Sequence, residues 1–481
     1  MGESTLKEKT SKGLFWGGLS NGLLQVISLG FAIVIGRILD PSDFGVVGVL
    51  TIFSAVASTI QESGFTGALL NRKKIDPNDY NAVFWLNVFL SLLLYLVLFF
   101  CAPAIARFFH NPELVRLSRF VFLGFVIGSF GTAQNAYLVK QMRIKEKSIA
   151  SIVSVIVAGV VAIVLALNGF AYWGIAIQNV VTVAVNTIGL WMASPWRPSF
   201  HISFKPLQGM VGFSLKILIT NVIAMINYHF FSVVFGHYYT EREVGLYNQA
   251  NKWNSAGYST INGMAHNVSQ TAFVEASEDP LRQLHVFRKM IRFVSFISFP
   301  LMLGLALIAP EFITIFLTDK WVESGHLLRI LAVGGAIYPV VTVMVALIIS
   351  HGGSGVQMWI NIVSGIALIA VCALFFRFGV VAMVIAYTVV NYLFLAVWYW
   401  AVRKYIPYSA GAFLRDIGIF AVISATVMVA TYFVTMPIRN IYVLCISRIL
   451  IAAVIYLATM RLSGAEIYKE SKQFITSRFQ R

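Results

Sequence analysis

Apolar runs of about twenty residues recur along nearly the whole chain, and no other feature limits its fold so strongly. Wound as a helix, such a run reaches roughly 30 Å, the thickness of a bilayer's hydrocarbon layer. Fourteen spans are expected, near 13–36, 44–62, 81–103, 117–138, 148–167, 171–192, 209–232, 244–268, 291–309, 327–349, 357–376, 379–401, 412–434 and 440–460. The strands of a barrel would read as short segments alternating with period two, and these do not. The chain is 58% hydrophobic and 12% charged, whereas about a quarter of a soluble domain is charged. These features describe an all-α integral membrane protein. Its loops are too short to hold a soluble catalytic domain.

Charge sets the expected orientation. With the N-terminus inside, the inner segments hold 24 of the Lys and Arg residues. Lys7, Lys9, Lys12, Arg72, Lys73, Lys74, Lys140, Arg143, Lys145 and Lys147 are among them. Outer segments hold eight. Basic residues stay cytoplasmic, so both termini are expected there. The net charge of +16 is then mostly topology. Its spread over many short loops argues against nucleic acid as a partner. No cleavable signal peptide is expected, because the first span is too long for one and a second follows at once. Cys101, Cys372 and Cys445 lie in or at the ends of spans and read as small buried hydrophobes, with no disulfide framework and no metal site.

The chain also repeats itself. Asn21, Phe31, Gly36 and Gly45 align with Asn221, Phe231, Gly236 and Gly245, and Asp43 with Glu243. Farther on, Ala102-Pro103 aligns with Ala309-Pro310, Arg119 with Arg329, Gly124 with Gly334, and Gly169 with Gly379. Each copy holds six spans, an even number, so both enter the membrane in one sense. Two six-helix lobes, 1–200 and 201–405, are expected around a pseudo-twofold axis along the membrane normal. A linker at 193–208 with Pro195, Pro198 and Pro206 joins them. Residues 406–481 add a helix pair with an expected peripheral role and a cytoplasmic tail.

Polar groups are costly in hydrocarbon, so their positions inform. In the eighth span Asn248, Lys252, Ser255, Ser259, Asn262, His266 and Ser269 recur at steps of three or four, with Asn251 beside them. One helical face therefore carries a polar stripe, which is expected to line a hydrated cavity. The seventh span repeats this through Lys216, Thr220 and Asn227, with Asn221 adjacent. Milder faces run through Gly17, Asn21, Gln25 and Ser28 on the first span, and through Gly48, Thr51, Ala55, Ser58 and Glu62 on the second. Taken singly, Asn21 or Gln25 reads as an interhelical hydrogen bond; paired faces across a duplication read as a path.

Sign narrows the ligand. The spans hold Lys216, Lys252, Arg329 and Arg448, against Glu62 and Asp416 as acids in or beside spans. A site for organic cations needs buried carboxylates, whereas ammonium and guanidinium groups suit phosphate. Lys216 and Lys252 are expected to form successive stations for an anionic head group. Arg329, like Arg119, is expected to snorkel at the outer mouth. Arg448 reads equally as structural or functional. Glu62 is either a solvated helix end or a group that couples H+ or Na+ to transport. His229, His237 and His266 read as structural or pore-lining. No cofactor is expected, and no nucleophile–base pair with usable spacing is present.

Gly36-Arg37-Ile38-Leu39-Asp40-Pro41-Ser42-Asp43-Phe44-Gly45 resembles the turn after the first helix of Wzx-type polysaccharide flippases. Phe84-Trp85-Leu86-Asn87, Ala102-Pro103, Phe108-Phe109 and Gly245-Leu246-Tyr247-Asn248 are similar to later stretches of that family, in the same order. The resemblance points to the colanic-acid-exporter-like branch of the polysaccharide transporter family, within the multidrug/oligosaccharidyl-lipid/polysaccharide exporter (MOP) superfamily. It implies a MATE-like V of two lobes plus two extra helices. It also implies that an undecaprenyl-diphosphate-linked oligosaccharide is flipped to the outer leaflet of the bacterial cytoplasmic membrane by alternating access. After the eighth span, where relatives often carry an aromatic-Pro-x-Leu-Ser-Arg-like turn, this chain has Thr271-Ala272-Phe273-Val274-Glu275-Ala276. Two other readings are an ion-coupled multidrug exporter, opposed by the scarcity of acids, and a membrane-embedded polysaccharide polymerase or ligase, opposed by the short outer loops.

Overall fold

The computed structural model describes residues 3–61, 75–200, 202–203, 211–276 and 279–462, without the side chains of 3–15, 17, 211–217 and a few others near 270. Its α-helices are α1 Glu3–Ile38, α2 Pro41–Gly48, α3 Thr51–Gln61, α4 Pro77–Phe108, α5 Leu114–Lys140, α6 Ile144–Leu167, α7 Ala171–Ala193 and α8 Val211–Tyr238. They continue with α9 Glu241–Glu275, α10 Pro280–Leu317, α11 Val322–Gly335, α12 Tyr338–Ser350, α13 Ser354–Phe375, α14 Val380–Val402, α15 Ala410–Thr435 and α16 Ile441–Leu462. Twelve spans among the described residues are long and apolar enough to cross a membrane, and α2 with α3, bent by 43° at a short break, makes a thirteenth. The expected eighth span is present as α9, a helix of 35 residues, but its polar composition keeps it out of that count.

The chain divides into two compact units, Met1–Gly245 and Leu246–Arg481. In the first, α1 packs on α6, α6 on α7, α5 on both α4 and α7, and α8 along α3. Small residues make these seams close, as membrane helices require. A Cβ on Gly159 would lie 2.4 Å from the Phe31 ring, and one on Gly189 would lie 2.7 Å from Ala150 Cβ. Beyond α7 the chain is tied back to α4: the Ser199 N–H donates to Asn81 Oδ1 at 2.9 Å, and Trp85 Nε1 donates to the Ser199 carbonyl at 2.8 Å.

The duplicated turns meet inside this unit. The Asp40 N–H donates to the Asp43 carboxylate at 3.0 Å, and the Thr240 N–H donates to the Glu243 carboxylate at 2.9 Å. Each pair satisfies a free donor at a helix start. The two helix starts then cross: a Cβ on Gly45 would lie 1.7 Å from the Glu241 carbonyl oxygen, and one on Gly245 would lie 1.8 Å from that of Pro41. Only glycine permits this approach of backbone to backbone.

In the second unit a continuous core runs from Ile261 and Phe273 through Phe287, Met302, Val343 and Trp398 to Phe420 and Tyr456. Pro339 closes the break between α11 and α12, where Ser298 Oγ donates to the Ala336 carbonyl at 2.7 Å. The last two helices are not peripheral in packing. Both α15 and α16 lie against α10, and Ile417, Val427 and Met460 belong to the core.

Candidate transport site

The stripe on α9 separates two faces of that helix. Ala250, Trp253, Asn254, Ile261, Ala265 and Phe273 are buried, with Trp253 edge-on to Phe312 at 4.9 Å. Lys252, Ser259 and His266 are exposed, and Asn248, Asn251, Ser255 and Asn262 are half-buried. Lys252 makes no ion pair among the described residues. Not every member of the stripe is open. Asn262 accepts a hydrogen bond from Thr342 on α12, and Ser255 pairs with Tyr258 at 3.3 Å. The exposed row that remains, Lys252, Ser259 and His266, offers an ammonium, a hydroxyl and an imidazole.

Of the other expected groups, Asn21 is exposed, and Gln25, Asn221 and Asn227 are half-buried. The Lys216 side chain and Glu62 lie outside the described residues.

Arg448, which the sequence left open between a structural and a functional role, is held in place. It is buried, and its guanidinium meets Glu311 at 2.7 Å, donates to the Leu307 carbonyl at 3.2 Å and to Thr435 Oγ1 at 3.3 Å. Glu311 was not counted among the acids of the spans because α10 runs past the expected end at 309, to Leu317. Asp416 is also neutralised, by Arg288 at 2.7 Å and Arg292 at 2.6 Å, with Tyr408 donating at 3.1 Å. Burial, with the Asp416 carboxylate beside it, pushes the Tyr408 phenol well above its ordinary value, so it remains a donor. Arg329 is exposed and donates to the Ala306 carbonyl at 3.3 Å, as Arg119, aligned with it in sequence, donates to that of Phe99 at 3.4 Å. Arg329 also sits on an apolar groove of about 520 Å³ beside Leu303, Met428 and Phe433.

The first unit encloses a larger space, about 990 Å³. The second-span face contributes as expected, through Thr51, Ala55 and Ser58, joined by Ser28 of α1 and His229 of α8. Thr51 Oγ1 lies 3.4 Å from His229 Nδ1. Other lining residues were missed by the sequence reading: Asn135 on α5, Lys147 and Ser151 on α6, and Asn179 and Asn186 on α7. Their spacing was visible, since Lys147, Ser151 and Ser154 share one helical face and Asn179, Thr182 and Asn186 another. They were read past because Lys147 counted as a loop basic and the amides stood alone in apolar text.

Residues 34–326 match the family described as "Polysaccharide biosynthesis protein". The chain is 24% identical over 337 residues to the lipopolysaccharide biosynthesis protein WzxC of Escherichia coli (strain K12), covering 69% of this chain and 68% of that one. It is 24% identical over 334 residues to the succinoglycan biosynthesis transport protein ExoT of Rhizobium meliloti (strain 1021), with 69% and 68% covered. Its fold is similar to that of the lipid II flippase MurJ in an inward closed conformation, with a TM-score of 0.75 at 12% identity, covering 92% of this chain and 97% of that one. It is also similar to an inward-facing MATE-family multidrug transporter of the MOP superfamily, with a TM-score of 0.64 at 16% identity and 79% and 94% covered. The family match spans more than half of the chain, which therefore belongs to the polysaccharide biosynthesis protein family.

Proposed function

We propose that this multi-pass membrane protein is a flippase that carries a lipid-linked oligosaccharide across the bacterial cytoplasmic membrane, for capsule, O-antigen or exopolysaccharide synthesis. The observation that carries this reading is the exposed, acid-free row of α9 with Lys252 at its head. A solvated ammonium on an otherwise spanning helix is costly against lipid and suits a phosphate-bearing head group. The relatives named for polysaccharide transport support the same cargo class. In the finer reading the carrier is undecaprenyl diphosphate, both termini are cytoplasmic, and the halves 1–200 and 201–405 alternate access around the head group while the polyprenyl tail stays in lipid. Lys216 and Lys252 serve as its successive stations. The protein acts as a monomer beside the polysaccharide polymerase machinery, with no cofactor, and H+ or Na+ moves through a step involving Glu62.

A drug exporter of the same fold would have buried acids free to receive organic cations; Asp416 and Glu311 are both held by arginine. The deciding experiment measures lipid-linked oligosaccharide reaching the outer leaflet of vesicles with and without the protein. Cargo held inside on depletion supports the flippase. Full transport by the Lys216→Ala, Lys252→Ala double variant would remove the two-station reading, and transport without any protein-dependent component would remove the flippase itself.

A further inference from the structure

Both copies of the repeat set an arginine against a proline. Pro103 lies inside α4 and Pro310 inside α10, and a proline has no N–H for the carbonyl four residues before it. Those carbonyls belong to Phe99 and Ala306. Arg119 Nε donates to the first at 3.4 Å, and Arg329 Nε donates to the second at 3.3 Å. Each arginine is moored through Nε on a carbonyl that its helix leaves open.

What lies over the guanidinium differs. The centroid of the Phe99 ring stands 4.1 Å from the Arg119 guanidinium carbon, so that cation is covered. Ala306 has no ring to offer. In its place is the groove of about 520 Å³, walled by α10, α11 and α15. It follows α15 from Ala425 to Phe433, a rise of roughly 12 Å. Val429 and Phe433 on its wall are 56% and 64% exposed.

Among the described residues that line the groove Arg329 carries the only charge, and its guanidinium has no other partner among the described residues. Glu311, the acid of α10, is held by Arg448 at 2.7 Å. The helices that wall the groove and the turns leaving them at the Arg329 end, 318–321 and 436–440, are described throughout. All three helices belong to spans long and apolar enough to cross a membrane. Exposed apolar side chains on such helices meet lipid tails, and an arginine toward a helix end reaches head-group level. An apolar wall beside one guanidinium fits a molecule with a hydrocarbon tail and an anionic phosphate, whose oxygens the free N–H groups can take in pairs. A head group with an ammonium of its own would set like charge beside Arg329.

We propose that this groove holds a resident phospholipid of the surrounding membrane with an anionic head group, its phosphate on Arg329 and one tail along α15. This lipid is a fixed component and not cargo, so the proposal goes beyond the flippase reading and does not depend on it.

The test adds phosphatidylglycerol or phosphatidylcholine with identical chains to the full-length protein in mild detergent and counts bound lipid by native mass spectrometry. Wild type is expected to retain one phosphatidylglycerol roughly fivefold more strongly than phosphatidylcholine, the scale of one charge-assisted hydrogen bond. Arg329→Gln removes that preference. Ala306→Phe, which copies the ring of the first unit, removes the bound lipid, and Arg119→Gln changes neither. Should Ala306→Phe fail to fold, Arg329→Gln decides. Equal retention of the two lipids by wild type overturns the proposal, as does a preference that survives Arg329→Gln. Displacement of phosphatidylglycerol by equimolar polyprenyl phosphate also overturns it, because the occupant is then the carrier of the cargo. The flippase reading stands or falls separately, on the vesicle assay.

Discussion

Gly124 and Gly334 align in the sequence, yet their surroundings are opposite. Around Gly124 there is open space, and it lines the chamber of the first unit. Against Gly334 lies Thr388, 3.4 Å from where a Cβ would stand, and the next residue, Gly335, is pressed on Asn254 and Met302. Charges follow the same division. Lys147 is among the residues that line the chamber of the first unit, and Arg448, Asp416 and Glu311 of the second are held in ion pairs. Aligned positions of the sequence are thus hollow in the first unit and filled in the second. Side chains decide whether such an interior is a path or a core.

The comparison can be broken most severely where the two copies are alike. Gly45→Ala or Gly245→Ala sets a methyl group on a carbonyl, and a backbone atom cannot yield as a side-chain tip does. Transport is expected to fall about tenfold or more, since packed interiors do not absorb such an overlap. Unchanged transport would mean that the crossed turns are not visited in the cycle.

Next comes the sealed side of the second unit. Arg448→Ala leaves the Glu311 carboxylate without its cation and is expected to cost about 3–5 kcal/mol, read as a lower unfolding temperature of the detergent-solubilised protein. Thr426→Ala, at an exposed position of α15, is expected to stay within about 0.5 kcal/mol of wild type. Equal losses for the two variants would erase the distinction between sealed and exposed positions.

The glycine pair sharpens it further. Gly334→Leu overpacks against Thr388 and is expected to destabilise by about 1–3 kcal/mol. Gly124→Leu enters open space, leaves stability nearly unchanged and narrows the chamber, so its effect appears in transport. A destabilisation by Gly124→Leu as large as that by Gly334→Leu would show that the chamber closes in the membrane.

The smallest effects belong to the outer arginines. Arg119→Gln and Arg329→Gln each remove one hydrogen bond to a carbonyl of the preceding helix, worth about 0.5–1.5 kcal/mol. Similar shifts in the two variants would mark them as equivalent anchors. A transport defect confined to Arg329→Gln would instead place Arg329 at the cargo's exit.

Much of this architecture was legible in the text of the chain. Runs of apolar residues gave the helices, because a bilayer admits few other spanning elements. The step of three or four puts Lys252, Ser259 and His266 on one face of α9, and all three are exposed. Asn262 did not follow, since Thr342 from α12 takes up its amide. Arg448 was ambiguous for a related reason: its partner Glu311 is far away in sequence, at the end of a helix longer than hydropathy suggested.

By itself the sequence determined that the chain is a bundle of membrane-spanning helices and which direction each polar group leaves its own helix, for these depend on local periodicity and on solvation cost. Only the tertiary structure decided which of those groups converge. The chamber of Asn135, Lys147 and Asn186 and the sealed pair of Arg448 and Glu311 arise from the packing of helices distant in sequence, and periodicity along one helix carries no record of what the neighbouring helix presents to it.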